Sequence, residues 1–145
     1  MARRKLYKQT KVKTDNLGST GGQILIGTVT KLDAQGVNGY LNNIRVSALL
    51  NDADGHTGDQ GGFIAYLTTD NSWSDDNIIT ARAGRFADTV NLPAKRTLRQ
   101  GTDNAYGNMG DVHLWMEITD ISTVTDVELR IVTETWGSFI EYSFT

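Results

Sequence analysis

The sequence predicts an all-β protein, an antiparallel β-sandwich of eight strands. Apolar and polar residues alternate over most of the chain, as they do in half-buried strands. Clusters of Gly, Asn and Asp separate the alternating segments, and no segment keeps the 3.6-residue apolar period of a helix. Several short strands at this spacing are typical of a sandwich or barrel.

The pattern is clearest near the C-terminus. Every second residue is apolar through most of "DVHLWMEITDI" (111–121) and in the first half of "DVELRIVTETW" (126–136). The short polar "STVT" between these segments suits antiparallel neighbours. "GSFIEYSF" (137–144) predicts a further strand. The residues expected on the inner faces of the sandwich are Val112, Leu114, Met116, Ile118, Val127, Leu129 and Ile131.

The first part of the chain has the same pattern in a looser form. Strand candidates are "QILIGTVTKL" (23–32), "NIRVSALL" (43–50), "GGFIAYLTT" (61–69) and "NIITARAGRF" (77–86), with weaker segments on either side of Pro93, "DTVNL" (88–92) and "RTLRQ" (96–100).

The charge is distributed unevenly. The chain has 14 basic and 17 acidic residues, yet its first thirteen residues, "MARRKLYKQTKVK", hold six basic residues and no acidic one. The remaining 8 basic and 17 acidic residues give residues 14–145 a net charge of −9. We interpret residues 1–22 as a flexible basic arm ending in the hinge "DNLGSTGG", and residues 23–145 as a single sandwich domain.

A short basic segment of this kind is typical of contact with nucleic acid, an anionic membrane or a neighbouring subunit. We expect nucleic-acid contacts from the six basic residues, and Tyr7 is suited to stacking on a base. Deleting residues 1–13 should then leave the sandwich folded. The second choice for such contacts is the small cluster Lys95, Arg96 and Arg99. The predicted nucleic-acid-binding residues of the arm are Arg3, Arg4, Lys5, Lys8, Lys11 and Lys13.

Little in the sequence indicates catalysis. The absence of Cys excludes thiol nucleophiles and zinc–thiolate sites. His56 lies in a Gly-rich segment and His113 on the outward face of a predicted strand, and neither belongs to a hydrolase or phosphate-binding motif. Glu117 and Glu128 could face each other across adjacent strands, an arrangement found in glycosidases and on any solvated sheet. We predict no enzymatic activity, no catalytic residue and no cofactor.

"DADGHTGD" (52–59) is the one segment that resembles a metal loop. Asp52, Asp54 and Asp59 lie among glycines, and oxygen-rich turns of this type can hold Ca²⁺. However, His56 stands where a calcium loop needs another oxygen ligand, and Phe63 stands where it needs a closing Glu. We therefore favour a plain connecting loop, keep the three aspartates as weak candidates only, and predict no metal.

The basic arm, the hinge, the eight or so strands with long polar connections, and a chain end inside the last strand ("FIEYSFT") together resemble a viral capsid protein of the single jelly-roll kind. The resemblance covers the whole chain but includes no signature motif. It implies a virion protein whose copies form an icosahedral shell, alone or with other capsid proteins. The arm would then touch genome, an inner membrane or neighbouring subunits, and no enzymatic activity is expected.

The positions of the three tryptophans bear on whether the chain assembles with other subunits. Trp73, Trp115 and Trp136 fall at outward positions or in loops, and aromatic residues are enriched at interface hot spots. We predict that Trp115 and Trp136 contact neighbouring subunits or loops. One alternative is a carbohydrate-binding sandwich module with Trp73, Tyr106 and Trp115 as a stacking platform, although it leaves the basic arm unexplained. Another is a virion fibre or accessory protein.

Overall fold

The computed structural model describes residues 5–19, 21–31, 39–50, 61–98, 111–119, 123–124, 127–137 and 142–144, and the structural statements below refer to them. These residues form strands, turns and one 3-10 turn at Asp75–Asn77. The strands are β1 (Lys5–Asp15), β2 (Gly18–Ser19), β3 (Ile24–Lys31), β4 (Gly39–Leu50), β5 (Gly62–Thr68), β6 (Ile78–Arg85), β7 (Thr89–Leu98), β8 (Val112–Thr119), β9 (Thr123–Val124), β10 (Val127–Gly137) and β11 (Tyr142–Phe144).

Two antiparallel sheets make up the molecule. The first sheet has the strand order β1-β10-β4-β7, and the second has the order β11-β3-β8-β5-β6. The two-residue strands β2 and β9 pair separately. Without β2, β9 and β11, eight strands remain, and the chain passes repeatedly from one sheet to the other in the order of a jelly roll. The predicted eight-stranded β-sandwich is confirmed, with β11 added at the edge of the second sheet.

The core lies between the sheets and has the composition that the alternating pattern predicts. All seven residues expected on the inner faces are at most 2% exposed and belong to one apolar cluster. On β4, Ile44, Val46 and Ala48 join the same cluster, again at every second position. Burial of this period fixes the register, because a shift by one residue would turn every apolar side chain to the other face.

The expectation of a flexible arm is wrong for residues 5–15. These residues form β1, which pairs with β10 along its whole length, from Lys5 opposite Gly137 to Asp15 opposite Val127. Tyr7, Thr10, Val12 and Thr14 explain this local structure, since β-branched and aromatic residues favour strands. β1 lies at the edge of its sheet, where lysines are common because they discourage pairing with foreign strands.

The expected hinge is also part of the fold. Leu17 is fully buried in the core cluster, and Gly18 and Ser19 pair with Val124 and Thr123. The two weak segments around Pro93 likewise form one strand, β7, with an irregularity between Pro93 and Arg96. Because β7 is an edge strand, the missing N–H of Pro93 can be accommodated.

Candidate interaction surfaces

The net charge of the strands differs from that of the connections between them. The four strands of the first sheet contain eight basic and three acidic residues, whereas the second sheet contains three basic residues and one acidic residue. The parts of the sequence outside the strands contain thirteen acidic and three basic residues. The charge separation that the sequence suggested between an arm and a body is therefore a separation between a cationic sheet and anionic connections.

The basic residues of β1 have different surroundings. Lys8 is exposed on the outer face of the first sheet, and Lys11 is also exposed. Lys13 is half-buried: its Nζ donates to the carbonyl oxygen of Ile26 on β3 at 2.8 Å and lies 3.0 Å from Asp15 Oδ2. Lys13 therefore ties β1 to the second sheet and is poorly placed to meet a ligand. Lys5 is the first residue of β1, and the predicted sites Arg3 and Arg4 lie outside the described residues.

A buried carboxylate on the same face was not predicted from the sequence. Glu134 is only 6% exposed, and its Oε1 lies 3.7 Å from Lys8 Nζ and 3.6 Å from Arg45 Nη2. A carboxylate withdrawn from water needs such partners, since an unpaired buried charge is strongly destabilising. Glu134 therefore joins β1, β10 and β4 through charge. The pairing depends on a register between residues 126 positions apart, which no local pattern reveals.

The end of the first sheet that includes the start of β1 brings an aromatic pair together. Trp136 lies directly opposite Tyr40 on the neighbouring strand β4, and both side chains are partly exposed. Trp136 is also opposite Leu6 of β1, and Tyr40 is opposite Thr97 of β7, so the row crosses all four strands. The predicted role of Trp136 at a subunit interface stays a prediction.

Tyr66 and Trp115 of the second sheet form a cluster with Trp73 on its outer face. Trp73, in the segment between β5 and β6, lies 4.8 Å from the ring of Tyr66 and 5.5 Å from that of Trp115, both edge-on. Trp115 is 6% exposed, and its Nε1 donates to Thr68 Oγ1 at 2.8 Å. Trp115 therefore contacts a neighbouring loop of its own chain. Because Trp73 is partly exposed, it is the tryptophan of this cluster that is better placed to contact another subunit.

Polar contacts complete this cluster. The hydroxyl of Tyr66 donates to Glu117 Oε1 at 2.7 Å, and Gln23 Nε2 donates to the same oxygen at 3.2 Å. Burial raises the pKa of Tyr66 to about 12, and the hydrogen bond and charge of Glu117 and the charge of Asp75 act in the same direction. The phenol thus stays protonated and holds Glu117 in place.

His113, which the sequence placed on an outward face, is 8% exposed. Its Nδ1 is 2.8 Å from Thr28 Oγ1 of β3. Burial lowers the pKa of His113, and the nearby charges of Asp111 and Asp70 act in the opposite direction without cancelling the effect. The neutral imidazole is therefore favoured, and His113 acts as a cross-strand hydrogen-bonding residue.

The other predicted chemical sites are not brought together. Glu117 is on β8 of the second sheet and Glu128 on β10 of the first, so the two carboxylates do not face each other across adjacent strands. His56, Asp52, Asp54, Asp59 and Tyr106 lie outside the described residues. Trp73 and Trp115 meet edge-on at 68°, so they offer no flat platform for a sugar ring. Within the described ranges no group of three or more His, Cys, Asp or Glu could hold a metal ion, and no helix could span a membrane.

Comparison with known proteins gives matches to structures only. No protein-family model matches the sequence, and no curated protein resembles it significantly. The structure is similar to a chain in the semi-empty virus-like particle of the nodavirus of the giant freshwater prawn Macrobrachium rosenbergii. The TM-score is 0.50 at 10% identity over 97% of both chains. This similarity over almost the whole of both chains shows a shared fold.

Two further matches come from infectious bursal disease virus. The structure of the Gx strain gives a TM-score of 0.41 at 12% identity, and that of the VP2 subviral particle gives 0.38 at 11% identity. The chain covers 32% and 40% of these longer chains.

Proposed function

We propose that the chain is a structural virion protein, a capsid subunit that self-assembles into an icosahedral shell and has no enzymatic activity. The observation that carries the proposal is the shared jelly-roll fold. It extends over 97% of this chain and 97% of a chain from a nodavirus-like particle, so the similarity is not confined to one part of either chain. The catalytic pair considered from the sequence is separated between the sheets, which is consistent with a structural role.

The charge distribution supports assembly around a polyanion. Identical subunits that expose anionic connections repel one another, so contacts between copies must come from apolar groups and hydrogen bonds, or from cations meeting acidic loops. Lys8 and Lys95, whose side chains are exposed, are available for an acidic loop of a neighbour or for a packaged nucleic acid. Trp115 and Trp136 as intersubunit contacts stay predictions, with Trp73 the more accessible member of its cluster.

The direct test is the oligomeric state of the purified full-length chain, measured by light scattering after size exclusion and by negative-stain electron microscopy. Samples with and without added single-stranded RNA should be compared at several salt concentrations. We expect closed particles, or large species that close when RNA is added. A monomer under every condition would favour the carbohydrate-binding module, and a stable trimer would favour the fibre protein.

A further inference from the structure

We propose that one end of the first sheet is a binding site for single-stranded nucleic acid, in which Trp136 and Tyr40 stack on bases while Lys8 and Lys95 contact phosphates. The choice of nucleic acid as the polyanion rests on the proposed function, because a capsid subunit encloses a genome. The site itself follows from the register of four strands.

The register brings together two basic segments that are about ninety positions apart in the sequence. The start of β1, with Lys5 and Lys8, lies at the same end of the sheet as the last residues of β7, with Lys95 and Arg96. β10 and β4 lie between them, and three strand spacings make the separation about 14 Å. The exposed Lys8 and Lys95 therefore lie on the two sides of one short surface.

The aromatic pair occupies the middle of that surface. Trp136 and Tyr40 are direct cross-strand neighbours, and their partial exposure leaves ring surface available. Stacking on aromatic rings between positive side chains is how proteins hold single strands without reading their sequence, because every base has a π-face. A duplex hides those faces, so a single strand is the better ligand.

Lys95 has an unusual backbone that supports this role. Its φ is 49°, in the left-handed region that non-glycine residues seldom adopt. It lies in the irregular part of β7 between Pro93 and Arg96, and its side chain is exposed whereas that of Ala94 is buried. Bulges of this kind re-aim side chains, and here the distortion leaves a lysine exposed at the sheet edge.

The acidic residue on this part of the face does not cancel the positive charge. Glu134 is almost fully buried between Lys8 and Arg45, so one negative charge is shared by two positive ones. The Lys8 side chain remains 58% exposed while it makes this contact. It can therefore reach a phosphate without leaving the carboxylate unpaired, since Arg45 remains.

The first experiment titrates the purified, unassembled full-length chain with a fluorescent oligo(dT) and follows tryptophan fluorescence and oligonucleotide anisotropy. We expect quenching that Trp136→Phe removes, with affinity about 5- to 100-fold weaker in Tyr40→Leu or Trp136→Leu. The matched control is Trp73→Phe on the second sheet, which should leave both binding and quenching intact. Circular dichroism checks that each variant is folded.

The second experiment measures the salt dependence of the same binding. Replacing both Lys8 and Lys95 by Gln should reduce the slope of log K against log salt by about 1.4, because each lysine that neutralises a phosphate contributes about 0.7. The control with the same change of charge is Arg82→Gln with Arg85→Gln, two exposed cations on β6 of the second sheet. This control should leave the slope unchanged.

The inference is overturned if Trp136→Leu binds as tightly as Trp73→Phe, if the two charge variants have the same slope, or if duplex DNA binds better than the single strand. It also falls if Trp136→Leu blocks assembly but leaves oligonucleotide binding unchanged, since this end of the sheet is then a subunit interface. If the chain forms particles but does not bind the oligonucleotide in this way, the capsid function is supported and this binding site is contradicted. If the chain stays monomeric but binds as described, the binding site is supported and the capsid function is contradicted.

Discussion

The outer faces of the two sheets use their side chains differently. On the first sheet the outward residues of β1 and β10 include exposed Lys8, Val12, Glu128 and Arg130, and Val12 is 51% exposed. On the central strands of the second sheet the corresponding positions are covered: Trp115 lies under Trp73, and the nearby polar groups are hydrogen-bonded to each other. The polar groups on the outer face of the second sheet are hydrogen-bonded to each other, so this face has a structural role. The charged side chains on the outer face of the first sheet are exposed and can bind a partner. The outer face of the first sheet is therefore the surface to test for binding, and outward substitutions on the central strands of the second sheet test stability.

The largest expected effect comes from removing β1. Because β1 pairs with β10 over eleven residue pairs, its deletion leaves β10 as an unprotected edge and removes the Lys13 contact to β3. We expect a chain lacking residues 1–15 to be poorly soluble or to unfold at much lower denaturant concentration. This reverses the expectation, from the sequence alone, that the first thirteen residues could be removed safely.

Deletion of residues 1–4 is the matched control, because it removes Arg3 and Arg4 but leaves β1 complete. Its urea midpoint should stay close to that of the full chain. Equal midpoints for both deletions would show that β1 contributes nothing to the sandwich.

A smaller effect is expected in the shared core. Leu114 is fully buried on β8, so Leu114→Ala should lower the free energy of unfolding by about 2–5 kcal/mol through reduced burial and the cavity left behind. Val12→Ala on the open face of β1 should cost less than about 0.5 kcal/mol. Denaturant unfolding measures both variants, and a negligible effect at Leu114 would place it outside the core.

The hydrogen bond between Trp115 and Thr68 should contribute less to the free energy of unfolding than the Leu114 side chain does. Thr68→Val removes the acceptor of Trp115 Nε1 and leaves a buried donor without a partner, which should cost about 1–3 kcal/mol. The neighbouring Thr69→Val is the control, since Thr69 is exposed and should change stability by less than about 0.5 kcal/mol. Identical losses at both positions would mean that the indole finds another acceptor.

The smallest expected effects concern pH. The folded pKa of His113 is lowered, so the unfolded chain binds protons more readily and stability is lost as pH falls below about 6.5. Tyr66 has a raised folded pKa, so its contribution is complete below about pH 10 and is lost as pH rises towards about 12. Urea unfolding of His113→Gln and Tyr66→Phe should show a shallower acid and alkaline decline, respectively. Slopes unchanged from those of the original chain would contradict these assignments.

The inner faces could be predicted from the sequence because burial repeats every second residue within one strand, as in Val127, Leu129 and Ile131. The position of β1 could not, because its lysines suggest solvent exposure more strongly than its strand-forming residues suggest pairing. The ion pair of Glu134 with Lys8 and the pairing of Trp136 with Tyr40 could not be predicted either, because both depend on the register between distant segments. The sequence left open whether Trp115 contacts a loop or another subunit, because alternation reports which face a residue is on and not what lies above that face.

The four lysines of β1 belong to a folded, cationic sheet and not to a free arm. Amide hydrogen exchange of residues 5–15, followed residue by residue by NMR in the unassembled full-length chain, tests this placement directly. In an antiparallel edge strand alternate N–H groups point to the partner, so we predict protection at every second amide of β1 and fast exchange at the others. Exchange of all these amides at the rate of an unfolded chain would contradict this placement.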